Sequence, residues 1–222
     1  MTVAINHKFT CILLTGKHEY LNRCAILFAE QAFNVLAVVG PQDKQLNEEE
    51  LSKLRPDFVL SFLNEKILRG ALLKCRNVNF HPSPPEWPGR GGASLALYHE
   101  AMTYGATAHV MHPKVDAGPI LSVRRFSIFP GESCESLFSR AENACLELFY
   151  EIVTHIVAHD SLPELSGETW QGQAMTRKQF NEWLILDRED KDDFLRKIRA
   201  AKHSQFPGPY VILNGHKFGL VK

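Results

Sequence analysis

The sequence predicts an α/β fold: a Rossmann-like, mostly parallel sheet with helices on both faces, extended by a small C-terminal appendage of helices and a β-hairpin. Three features carry that expectation. Short apolar runs alternate with amphipathic stretches through residues 9–80, as strands and covering helices do in a parallel sheet. The runs are rich in Val, Ile, Leu and Phe without polar alternation, which suits strands buried on both faces. After residue 160 the chain turns polar, so we expect a main unit over residues 1–160 and a small subdomain over 161–222.

FTCILLTG (9–16) reads as the first buried strand, closed by a glycine, and residues 18–33 carry the apolar spacing of a helix. NVLAVVG (34–40) is a second strand. NEEELSKL (47–54) opens with Asn47 and Glu50 at capping-box spacing, and Pro56 ends that helix. DFVLSFL (57–63) is a third strand, EKILRGALL a short helix, and RNVNF (76–80) a fourth strand. ASLALYHEAMTYG (93–105) reads as a helix closed by Gly105. Residues 106–129 make two strands joined through PKVDAGP, and 132–160 a long helix whose stripe includes Leu137, Ala141, Cys145, Leu148 and Ile152. Helices near TRKQFNEWL and FLRKIRAAK follow. PYVILNGHKFGLV then predicts a hairpin, with Asn214-Gly215 as its type I′ turn.

Composition narrows the function. Among 222 residues, Lys plus Arg and Asp plus Glu total 25 each, so the charge footprint of a dedicated nucleic-acid binder is missing. The five cysteines are odd in number and lack any CxxC, which argues against a disulfide framework or a zinc knuckle and for reduced thiols. No run approaches the roughly 18 apolar residues of a membrane helix, and the N-terminus lacks the apolar core of a signal peptide. A cytoplasmic protein is expected.

Parallel sheets bind ligands beyond the carboxyl ends of their strands, and Asn79 and His81 stand at such an end. In an extended chain, positions i and i+2 face the same side, so amide and imidazole converge. Asp116 lies in the later loop. An amide that donates to a developing oxyanion, an imidazole that takes a proton near neutrality and a carboxylate that orients it suit acyl transfer, yet no activated nucleophile accompanies them. The bland alternative is that they satisfy backbone groups at a strand end. His109 and His112 point to opposite faces of a strand and make a poor metal pair. GRGG lacks the spacing of a phosphate loop, and Arg196, Lys197, Arg199 and Lys202 read first as a solvated helix face.

Asn79-Phe80-His81-Pro82-Ser83, followed by the segment from His109 through Asp116 to Gly118, resembles the signature of the formyltetrahydrofolate-dependent formyltransferases. That family includes the sugar N-formyltransferases, methionyl-tRNA formyltransferase and glycinamide ribonucleotide formyltransferase. The likeness covers about residues 9–160. It implies Asn79 as oxyanion donor, His81 as general base or proton relay, Asp116 as the positioning acid, and His109 as a structural histidine. The amine of an acceptor would attack the formyl carbon of N10-formyltetrahydrofolate and release tetrahydrofolate. The folate would lie beside Leu63, Lys66 and Ile67 on one side and Met111, His112, Pro113 and Val115 on the other.

Two departures stand out. MHPKVD replaces the acidic residues that relatives often carry before the aspartate, and SPPEW replaces the leucines many show after HPS. That loop is expected to border the acceptor, with Ser83, Trp87 and Arg90 as contacts, although Trp87 suits core packing nearly as well.

Residues 161–222 are short for a tRNA-binding domain, and FPGPYVILNG resembles the continuation found in the tRNA and sugar enzymes. A small amine is therefore expected, an amino-sugar nucleotide first. Glycinamide ribonucleotide, a hydroxyornithine-type amine, methionyl-tRNA, and water in a hydrolase are the alternatives. Against the hydrolase, the chain starts directly at its first strand, where those relatives carry a regulatory domain. A non-enzymatic folate-binding or interaction module is the remaining reading. A homodimer through the terminal hairpin is a further expectation.

Overall fold

The computed structural model describes residues 7–43 and 47–219. The N-terminal stretch 1–6 and the last residues of the expected hairpin, 220–222, lie outside the described residues. Six strands form one sheet: β1 (Thr10–Thr15), β2 (Asn34–Val39), β3 (Phe58–Phe62), β4 (Arg76–His81), β5 (Thr103–His109) and β6 (Ile120–Ser127). Their order is β2-β1-β3-β4-β5-β6. The first four run parallel, whereas β5 is antiparallel to both neighbours, so the sheet is mostly parallel with one reversed strand.

Alternation along each strand decides what lies on either face. Cys11 and Leu13 of β1, Phe58, Leu60 and Phe62 of β3, and Val78 and Phe80 of β4 join one large core. Helix α1 (Glu19–Ala32) and helix α4 (Cys134–His159) cover it, the latter through Cys145, Leu148, Phe149, Ile152 and Ile156. Ile12, Leu14 and Val59 face the other way, into a smaller cluster with Leu68 and Leu72. Helix α2 (Glu48–Lys53) and a 3-10 turn at Ala71–Lys74 close that side, Leu51 packing against the cluster. Asn47 caps α2 by accepting from the Glu50 amide at 3.2 Å.

Two expected helices change shape. Residues 65–73 form no continuous helix, because the adjacent Asn64 and Glu48 from the first turn of α2 occupy amides that a helix would use. Asn64 Oδ1 accepts from Lys66 N, and Glu48 accepts from the amides of Arg69 and Gly70. The helix expected over 93–105 is shorter: α3 spans Gly92–Tyr98. Glu100 takes a left-handed conformation (φ 55°), and Ala101 N bonds back to Ala96 O, which stops the helix. Gly105 belongs to β5 instead, where a Cβ would lie 2.1 Å from the Arg124 carbonyl oxygen.

Beyond α4 the chain returns across the sheet. Ser166 N donates to Ile120 O, Gln171 N to Pro85 O, and Met175 N to Pro88 O. Helices α5 (Arg177–Trp183) and α6 (Lys191–Ala201) follow, and β7 (Tyr210–Leu213) and β8 (His216–Gly219) form the hairpin around Asn214-Gly215. Among the described residues, no helix is long and apolar enough to cross a membrane. All five cysteines are unpaired.

Candidate active site

The polar site grows out of the same alternation. Because Val78, Phe80, Ala106 and Ala108 point toward α4, their neighbours Asn77, Asn79, His81, Thr107 and His109 must point to the opposite face. Register then brings them side by side, Asn79 opposite His109 and His81 opposite Thr107. The turn from β5 to β6, closed by Val110 N donating to Pro119 O, folds Asp116 back over this group.

Asn79 Nδ2 lies 3.0 Å from His109 Nε2. His109 Nδ1 sits 2.9 Å from the Val110 carbonyl, which only accepts, so Nδ1 carries the ring proton in the neutral form and Nε2 accepts from Asn79. One amide hydrogen of Asn79 thereby remains for a guest. Asp116 Oδ2 is 3.4 Å from His81 Nε2, and Oδ1 is 3.5 Å from His109 Nε2. His81 Nε2 is buried and not aligned for a hydrogen bond, so its link to Asp116 is electrostatic attraction only.

Charge and burial set the protonation states. Burial lowers the pKa of His81 below its ordinary 6.5 by more than Asp116 raises it, with His109 and Arg90 pushing the same way as burial. The ring is therefore neutral near pH 7. For Asp116, burial pushes the pKa upward, but the His81 and His109 rings and the Gly89 amide outweigh it and keep the carboxylate ionised. Gly89 N donates to Asp116 Oδ2 at 2.8 Å, and Asp116 itself is left-handed at φ 43°. Strained backbone of this kind persists where surrounding contacts over-determine it.

The expected folate residues occupy two neighbouring segments. Leu63 is left-handed (φ 53°) at the carboxyl end of β3, its carbonyl oxygen lying where a Cβ on Gly16 would stand. This is the crevice between β1 and β3, from which the chain winds both ways to β2 and β4. Lys66 Nζ is tied to the carbonyls of Gly40 and Asp43. Ile67 is exposed, and Leu68 joins the smaller apolar cluster against which Met111 packs. Met111 N donates to Asn77 Oδ1, His112 Nδ1 accepts from Lys114 N, and Pro113 and Val115 are exposed.

The three expected acceptor contacts diverge. Ser83 is buried and donates to Trp87 O at 2.7 Å, so its hydroxyl closes its own loop. Trp87 stacks on His99 at 5.5 Å and packs with the cluster under α3. Arg90 reaches the rim, where it grips Glu65 through two bonds of 2.9 and 2.7 Å and holds that carboxyl at about 2. Arg177, at the start of α5, joins the same carboxylate at 3.1 Å.

Sequence reasoning missed Trp170, whose ring lies edge-on to His109 at 5.0 Å and to His81 at 6.0 Å. It also missed Gly89 as a donor and the Glu65 bridge. The one available signal was a tryptophan inside an otherwise polar link.

A family model described as formyl transferase matches residues 25–153. The methionyl-tRNA formyltransferase of Ehrlichia ruminantium (strain Welgevonden) is 25% identical over 212 residues, covering 93% of this chain and 67% of that protein. A sugar N-formyltransferase from Shewanella sp FDAARGOS_354 has the same fold at TM-score 0.79 and 18% identity, over 95% of this chain and 96% of that one. HypX from Aquifex aeolicus, solved in complex with tetrahydrofolic acid, matches at TM-score 0.68 and 18% identity, over 94% of this chain and 36% of HypX.

Proposed function

The chain belongs to the formyl transferase family, and on that premise we propose that it moves the formyl group of N10-formyltetrahydrofolate to the primary amine of a small acceptor, an amino-sugar nucleotide. The observation that carries the reading is the convergence of Asn79, His81, His109 and Asp116 at the end of β4. A buried imidazole nitrogen without an aligned partner, beside an amide with a spare hydrogen, fits a carbonyl-sized guest.

The formylated folate supplies an electrophilic carbonyl carbon: the amine nitrogen bonds to it, and the tetrahedral oxyanion so formed collapses as the bond to N10 breaks. Asn79 donates its free amide hydrogen to the oxygen as charge builds there; loss of one such donor slows acyl transfer about 100- to 1000-fold. Neutral His81 takes the proton that the attacking amine must shed, Asp116, ionised and 3.4 Å away, stabilises the imidazolium so formed, and that imidazolium returns the proton to N10 as tetrahydrofolate leaves. Leu63, Lys66 and Ile67 with Met111, His112, Pro113 and Val115 would frame the pterin. Arg90 and Arg177 on the rim suit an acceptor that carries phosphate. The likeness to a sugar N-formyltransferase along almost the whole chain supports the same class.

The test is tetrahydrofolate release from N10-formyltetrahydrofolate with a panel of amines: nucleotide-linked 4-amino sugars, glycinamide ribonucleotide and methionyl-tRNA. Formylation of a sugar nucleotide at the highest kcat/KM is expected. Release at full rate without any amine would mark a hydrolase, and no release with any of them would overturn the reading.

A further inference from the structure

We propose that Trp170 is a positioning residue of the catalytic cluster: its indole orients the His81 and His109 rings and closes the cluster to bulk water. The inference rests on the formyl-transfer reading and adds a residue from outside the paired motif to it.

The indole meets both imidazoles edge-on, His109 at 5.0 Å with planes 87° apart and His81 at 6.0 Å with planes 65° apart. Its Nε1 donates to the Gly118 carbonyl at 2.8 Å, in the turn that carries Asp116. One side chain thus meets two rings and is pinned to the backbone of the turn that carries the third group. His81 needs such a wall, because its buried Nε2 has no aligned hydrogen bond to fix the ring. Packing is what remains to set its angle.

The segment that delivers Trp170 is held on both sides. Before it, Ser166 donates to Ile120 O through both N and Oγ, and Glu168 pairs with Arg125. After it, Gln171 N donates to Pro85 O, Met175 N to Pro88 O, and Arg90 N to Met175 O. The indole belongs to none of the three apolar clusters of the fold. Its ring contacts are with the two histidines, and its hydrogen bond is with the Gly118 carbonyl.

The groups that face His81 are Asp116 from the β5–β6 turn, His109 from β5 and Arg90 from the loop after β4. Trp170 carries no charge, so its removal changes His81 through solvation and ring freedom. Water admitted to the ring favours the imidazolium and moves its titration up toward the ordinary value.

The experiment uses full-length Trp170→Ala and Trp170→Phe, with N10-formyltetrahydrofolate and the amine that wild-type enzyme formylates best in the panel. We expect Trp170→Ala to lower kcat about 10- to 100-fold and to move the acid limb of kcat/KM upward by about half to one pH unit. Release of tetrahydrofolate without amine should rise relative to transfer. Trp170→Phe should restore most of the limb position. If Trp170→Ala does not fold, Trp170→Leu carries the same test, since an aliphatic side chain fills space without the planar cover of a ring. A folded Trp170→Ala or Trp170→Leu whose limb stays at the wild-type pH, whatever its rate, overturns the proposal. Should wild-type protein formylate nothing, the formyl-transfer reading fails by itself, and NMR titration of His81 in wild type and variant still decides whether Trp170 shields the ring.

Discussion

Asp116→Asn isolates one charge in the cluster. Asparagine keeps the shape and can still accept from the Gly89 amide, so the turn that holds residue 116 stays in place. What disappears is a carboxylate 3.4 Å from His81 Nε2 and 3.5 Å from His109 Nε2. An opposite charge at this range raises an imidazole pKa by about 1 to 3 units, or about 1.4 to 4 kcal/mol. Asp116 acts against burial on His81. Without it, the acid limb of kcat/KM should move further down the pH scale, opposite in direction to the shift expected for Trp170→Ala. If the imidazolium is fully formed in the transition state, the same free energy becomes a loss of about 10- to 1000-fold in kcat. The assay is tetrahydrofolate release across pH 4 to 9, with a thermal melt to show that the variant is folded. A folded Asp116→Asn enzyme with wild-type kcat and an unmoved acid limb would refute the reasoning.

Other perturbations give separate readings. Asn79→Ala should lower kcat about 100- to 1000-fold while the melting temperature changes little, measured with saturating substrates. Gly89→Ala places a Cβ 2.4 Å from the backbone N and O of Met175 at φ 85°, so thermal unfolding should show a loss of at least about 1 to 2 kcal/mol together with reduced turnover. Burial lifts Glu142 of α4 from 4.5 to about 7. The folded chain therefore holds a proton that the unfolded chain releases, and stability present at low pH is lost as pH rises through that window. Glu142→Gln should flatten this dependence. Discounted because the side chain is partly exposed, the gain at pH 8 is about 1 to 2 kcal/mol in urea titrations.

Much of this architecture is written locally. The runs at 9–16, 34–40, 57–63 and 76–80 become β1 to β4 nearly residue for residue, because an apolar stretch between turn residues has few other ways to bury itself. The period of two along β4 places Asn79 and His81 on one face, and the pairing of that motif with Asp116 pointed to the family. Local pattern also misled. Residues 93–105 carry a helical spacing throughout, yet Thr103 to Gly105 pair with β6 in a ladder whose partners lie some twenty residues downstream.

Contacts between distant segments obey no such local signal. That His109 stands opposite Asn79, that the Gly89 amide meets Asp116, and that Glu65 bridges Arg90 and Arg177 all follow from strand register and loop closure. Trp170 shows this most plainly. Its surroundings in the chain are polar, and its neighbours in space are two histidines and a carbonyl from β4, β5 and the turn beyond. Side-chain periodicity states which way a residue faces, whereas only the assembled sheet states what it will meet there.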